Sequence, residues 1–297
     1  MAGAIIARRT CAGLSRPTRG EPLDRGIGYA VATNMPFSHE RFLDVFGAYN
    51  SAVWPAAVAL WLATAWVAVR SVSRARIEGR TVLLLLAVHW LWSGIAYHWL
   101  YFRGINAAAG VFAAFFVAQG AVFAWLAVRA RRRSESPGFA RSARVTGSPR
   151  SSRDSDSDAS RSGGAGASPS SIPRVQFAAA LTPRGVVGAS LVVYGLAYPF
   201  LGLAFGLDYP RLPLFAVPCP TTLVTAGMLV CASGLPRAAG AIPMLWCLVA
   251  GSAAFALGIY ADLALFVAAL LLAVDTVMPS ALGPRPQLAS HAAVASR

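Results

Sequence analysis

The stretch "TVLLLLAVHWLWSGIAYHWLYF", residues 81–102, decides what kind of protein this is. It carries no Asp, Glu, Arg or Lys. As a helix rising about 1.5 Å per residue, it is long enough to cross the roughly 30 Å hydrocarbon layer of a bilayer. Stretches of the same character recur at residues 48–69, 107–128, 185–207, 214–235, 241–259 and 263–278. The chain therefore reads as an all-α polytopic transmembrane helix bundle of about seven spans.

Composition agrees. The 297 residues are 56% hydrophobic and only 13% charged, against about 25% charged in average soluble domains, and mean hydropathy is +0.56. A net charge of +14 would suit a nucleic-acid binder, but the arginines sit between apolar runs, where they orient a membrane protein instead. All 26 basic residues are Arg, a bias that with the abundant Ala points to a GC-rich, bacterial genome. The four cysteines form no CxxC pair, so no disulfide framework or structural zinc motif is implied.

Composition divides the chain into five parts. Residues 1–34 are Arg-rich and lack an apolar core of signal-peptide length; they read as a disordered extension or a misassigned start, with Met35 the natural one. Residues 35–128 form a block of three spans. Residues 129–184, with "SSRDSDSDAS" and "SGGAGASPSS", cannot bury enough apolar surface to offset ordering entropy and read as a disordered cytoplasmic linker. Residues 185–278 form a block of four spans, and 279–297 a cytoplasmic tail. The first inter-span loop and the linker hold four and eleven arginines, whereas the opposite loops contribute Arg103 and Arg211. The positive-inside bias then places the protein in the inner (plasma) membrane, with the N-terminus outside and the C-terminus in the cytoplasm.

The fifth span is broken by "FAVPCPTTLVTAG", residues 215–227. Pro is tolerated in the first turn of a helix, so a helix starting at Pro220 is expected, preceded by irregular chain at 214–220. The segment from Thr221 onward is too short to span hydrocarbon by itself, and irregular backbone at that depth must be packed in protein or line a wet cavity. Free amides of Thr221 and Thr222 at the positive helix end would suit an anion or polar solute, and Cys219 beside them a reactive thiol. A packed, capped short helix is the simpler alternative.

Other polar residues complete the candidate site. His89 lies deep in the second span and needs a partner; His98 lies near its outer end; Tyr194 shares a face of the fourth span with Tyr198. Asp275 is expected to reach solvent at the cytoplasmic interface. His98, Asn106, Asp208, Cys219 and Asp262 all map to the outer side, yet their spacing demands no metal. No catalytic set, metal site or cofactor motif emerges, and the partners indicated are the lipid bilayer and a small solute or ion, with oligomeric state undetermined. Two function classes follow. One is a permease with its site at the interrupted fifth span. The other is a redox or metal-dependent membrane enzyme using Cys219 and His98, or a non-catalytic scaffold subunit.

The segments "MPFSHERFLDVFGAYNSAVWP", "HWLWSGIAYHWLYFRGIN", "YPRLPLFAVPCPTTLVTAGML" and "IPMLWCLVAGSAAFALGIYADL" together resemble a group of bacterial multi-pass membrane proteins with a domain of unknown function, some labelled transporter permeases. The resemblance covers about residues 35–129 and 185–277 and is most specific over 209–222. It implies a start at Met35 and an inserted linker, and it brings no binding or catalytic residue. A reporter fused within residues 140–170 is expected to be reached only from the cytoplasm; labelling of it in intact cells would reverse the orientation.

Overall fold

The computed structural model describes residues 36–72, 77–134, 176–177, 182–278 and 281–283. Among the described residues seven α-helices carry the fold: α1 (His39–Val72), α2 (Gly79–Trp92), α3 (Ala109–Ser134), α4 (Pro183–Ala204), α5 (Pro218–Cys231), α6 (Ala241–Leu257) and α7 (Ala264–Val277). With their flanking turns, six reach the length and apolarity of a membrane span, and α5 is the short exception. The protein is an all-α bundle suited to a lipid environment. Its outer surface says the same: Leu62, Trp66, Val193, Phe200, Phe255 and Leu270 are each at least half exposed, a breadth of bare apolar surface that water would not tolerate. The expected disorder of the linker and of residues 1–34 concerns residues outside the described set. At the linker's edges, α3 runs on to Ser134, and β1 (Gln176–Phe177) pairs antiparallel with β2 (Ala232–Ser233) just after α5.

Helix α5, the one most broken in sequence and too short to count as a span, is buried over nearly its whole extent, with Cys219 alone part-exposed. It occupies the middle of the bundle, against α2, α4, α6 and α7. Its 14 residues cover only about 21 Å at 1.5 Å per residue, short of a roughly 30 Å hydrocarbon layer. A helix sheathed by other helices has no such length to meet.

Glycine makes that burial possible. A Cβ on Gly188 of α4 would lie 2.7 Å from the Gly227 carbonyl of α5, and one on Gly195 would lie 2.7 Å from Val224 Cγ2. The two backbones are therefore nearly in contact along an antiparallel seam, the small-residue packing that membrane helices use in place of a hydrophobic driving force. The α2–α3 pair repeats the device at Gly94 and Gly120, where an added Cβ would meet Phe116 Cβ at 2.9 Å and Leu91 Cγ at 2.7 Å.

Two local features depart from the sequence reading. From Ser93 to Tyr101, α2 widens into a π-helix, so its residues no longer follow the α-helical i, i+4 spacing. Ser93, Gly94, Tyr97 and His98 all turn inward, and His98 is 1% exposed rather than interfacial. At the opposite end, Asp275 is not solvated. It accepts a hydrogen bond from Arg184 Nη1, while the same guanidinium donates to the Val230 carbonyl at 3.2 Å and, through Nε, to the Gly283 carbonyl at 3.2 Å. Arg184 stands at the positive start of α4 and Asp275 near the negative end of α7. Each is at the wrong pole for its charge, so each serves as the other's counter-ion.

Filling the glycine seam should cost more than its size suggests, because the opposing atoms are backbone. Gly227→Ala is expected to destabilise the bundle by about 1–3 kcal/mol and to lower its melting temperature in detergent. Gly104→Ala, where nothing lies within 4 Å, should leave the melting temperature unchanged. Equal behaviour of the two variants would contradict the seam.

Candidate functional site

The chain entering α5 is irregular and lies inside the protein. Leu212, Phe215, Ala216 and Val217 are 3%, 2%, 0% and 1% exposed, and Ala216 adopts a left-handed φ of 69°. Buried carbonyls need donors, and two helices supply them. Asn50 of α1 donates both amide hydrogens, to the Pro210 carbonyl at 2.7 Å and the Leu212 carbonyl at 2.6 Å. The Ala216 carbonyl accepts from Tyr49 Oη at 3.2 Å and Ser93 Oγ at 3.1 Å. Tyr49 is in turn fixed by Trp92 Nε1, 2.7 Å away.

The helix then begins at Pro218, two residues earlier than the sequence reading placed it. This changes what Pro-Cys-Pro does. A helix start leaves unpaired N–H groups, and two of the first three residues here have none. The Thr221 amide already donates to the Val217 carbonyl at 3.3 Å. Thr222 Oγ1 donates to the Pro218 carbonyl at 2.7 Å, and Thr221 Oγ1 sits 3.4 Å from Ser93 Oγ. The expected row of free amides for an anion is therefore absent at Thr221 and Thr222, and the motif is a helix start with few donors left to satisfy.

Beside that start lies a cavity of about 790 Å³. It opens at the end of the bundle where α1, α3, α5 and α7 begin and α2, α4 and α6 finish. Cys219, Asp262, Tyr198, His98 and Trp246 contribute to its wall, with Phe42, Phe112 and Ala253 among the apolar remainder. Asp262, on the 3-10 turn (Tyr260–Leu263) leading into α7, is 5% exposed. Its carboxylate accepts from Tyr198 Oη, and Cys219 stands on the same cavity wall. The fold thus brings α4, α5 and the α7 approach together around one carboxylate.

The six residues singled out from sequence do not form one site. Cys219 and His98 line the cavity. His89 does not; its Nε2 lies 2.8 Å from Thr64 Oγ1 of α1, and its ring abuts Phe215. Tyr194 turns to the outside of α4 and donates to the Ala261 carbonyl at 2.8 Å. Thr221 and Thr222 are consumed within α5. Sequence reasoning passed over Tyr198 and Trp246 as site residues and placed Asp262 on the outer side without giving it a role. The usable signal was Asp262 itself, an acid inside an apolar block, where a carboxylate needs partners. Among the described residues, no group of three or more His, Cys, Asp or Glu is arranged to hold a metal ion.

No curated protein and no solved structure matches this chain. The model of a family of unknown function, DUF6064, matches residues 39–145 and 171–283 and so takes in both helical blocks and the cavity-lining residues from His39 to Asp262. The chain belongs to that family, DUF6064.

Proposed function

We propose that this protein binds a small solute in the cavity beside Cys219 and Asp262 and passes it across the inner membrane, as a permease. The observation that carries the reading is the cavity itself, formed where the central helix is interrupted. Its 790 Å³ falls in the range of about 300–1,000 Å³ typical of small-molecule sites. Interrupted helices near the middle of a bundle are where transporters hold their substrates. The cavity end carries Arg41, Arg103 and Arg211, the other end the more numerous arginines of the loops and linker, so the positive-inside bias turns the cavity outward.

An alternative reading, a redox or metal-dependent enzyme using Cys219 and His98, draws on the same wall. Its weakness is chemical: neither His98 nitrogen makes a hydrogen bond, so His98 does not engage the Cys219 thiol. A scaffold subunit would need no cavity.

Sidedness tests transport without knowing the solute. In a variant keeping only Cys219, a membrane-impermeant maleimide should label right-side-out vesicles quickly and inside-out vesicles more slowly, because a carrier exposes its site to each side in turn. Labelling from the outer side alone would remove the permease reading and leave a one-sided binding protein.

A further inference from the structure

Most polar side chains in the bundle are satisfied: Trp90 Nε1 donates to Thr225 Oγ1 at 2.9 Å, Trp61 Nε1 to the Leu196 carbonyl at 2.9 Å, and Gln119 Nε2 to the Ala239 carbonyl at 3.0 Å. Asn50 Oδ1, His89 Nδ1 and Arg211 Nε are single unpartnered atoms on side chains whose other polar atoms are bonded, whereas two neighbouring side chains lack any partner. His98 is 1% exposed and neither ring nitrogen has a hydrogen-bond partner; Trp246 is 8% exposed and its Nε1 has none. Their ring centroids are 5.0 Å apart, at 80°, and both rings line the cavity. Phe112 and Phe116 hold the pair, with Phe116 centred 4.7 Å from His98 and 4.8 Å from Trp246. A buried donor without an acceptor is costly, about 1–3 kcal/mol, and native proteins leave few such groups without a reason. Here two donors and one acceptor, in adjoining rings of two residues on one cavity wall, are left unmet by the protein itself.

The chemistry of that surface is specific. Trp Nε1 only donates, while neutral His offers one donor and one acceptor. The rest of the wall is largely hydrocarbon and aromatic, includes no Arg, and has Asp262 as its single carboxylate. That carboxylate already accepts from Tyr198, and His39, the other imidazole on the wall, has its Nδ1 3.1 Å from the Leu257 carbonyl. An anion would therefore meet an acid and no Arg, and a purely hydrocarbon ligand would leave the His98 and Trp246 nitrogens bare. Resting on the cavity as a solute site, we infer that His98 and Trp246 form a subsite for the oxygen of an uncharged, mainly apolar molecule, a ketone or an alcohol, whose hydrocarbon body lies against Phe42, Phe112 and Ala253. Such a molecule reaches the subsite from the aqueous phase through the open end or laterally as a lipid-soluble compound.

Protection of Cys219 from maleimide reads occupancy in the full chain reconstituted in nanodiscs. The probes are a long-chain methyl ketone and the primary alcohol, alkane, carboxylate and amine of matched length, with a short water-soluble ketone to separate the aqueous source from the lipid-soluble one. The ketone and alcohol should protect at concentrations at least about fivefold lower than the alkane, the factor for one neutral hydrogen bond. In Trp246→Phe, which keeps an aromatic ring, that advantage should vanish while alkane protection persists. The wild-type series stands without the variant, should Trp246→Phe fold poorly. Protection by the short ketone would assign an aqueous source, and protection by the long one alone a lipid-soluble source. Equal protection by alkane and ketone would overturn the subsite and leave the cavity reading intact. The carboxylate or amine binding tightest would overturn the uncharged class, and failure of every probe would overturn the cavity as a solute site as well.

Discussion

A helix that begins inside a membrane protein must account for every N–H and C=O at its start, because no bulk water is there to take them. Each unsatisfied group in hydrocarbon costs several kcal/mol. The approach to α5 meets this demand from both directions. Its carbonyls are taken up by Asn50, Tyr49 and Ser93, and two of its first three amides are removed by Pro218 and Pro220. The Pro-Cys-Pro that looks like damage to a span is the reason a span can start there.

Much of the architecture depends on that start. With α5 begun part-way down the bundle, the volume above it in the same column is left to irregular chain on one side and to the cavity on the other. The short helix can then be surrounded, which the glycines of α4 allow by admitting its backbone at close range. At the far end the α5 carbonyl of Val230 receives Arg184, itself bound to Asp275, so α4, α5 and α7 are tied at the pole away from the cavity. At the cavity pole Tyr198 of α4 donates to Asp262 beside the start of α5. A buried acid thus stands near each end of α5, and one of them forms part of the cavity wall.

Apolar length was enough to read the bundle, and six of the expected spans reappear as long helices with the interrupted one short. Those are properties of single segments, which sequence carries directly. What sequence did not carry were relations between segments. The pairing of Asp275 with Arg184 joins residues 91 positions apart, so Asp275 looked free to reach water. The π-helical widening after Trp92 turned His98 from an interfacial aromatic into a buried one, and nothing in an apolar run announces a change of helical pitch. Thr221 and Thr222 were chosen because a helix start was placed at Pro220; moving it to Pro218 is enough to pair Thr221's amide and shift the site to the cavity beside it. Cys219 kept its place at the cavity because the Pro-Cys-Pro that marks the helix start also marks the cavity floor.

The central claim is that side chains of α1 and α2 hold the entry to α5, and Asn50 bears most of that task. Hydrogen-exchange mass spectrometry on nanodisc-embedded wild type and Asn50→Leu tests it directly. Leaving the Pro210 and Leu212 carbonyls without a donor, at about 1–3 kcal/mol, should speed exchange across residues 207–217 by roughly 10- to 100-fold, with α5 amides from Leu223 to Val230 unchanged. Unaltered exchange in residues 207–217 would contradict the account, as would uniform acceleration through the whole bundle.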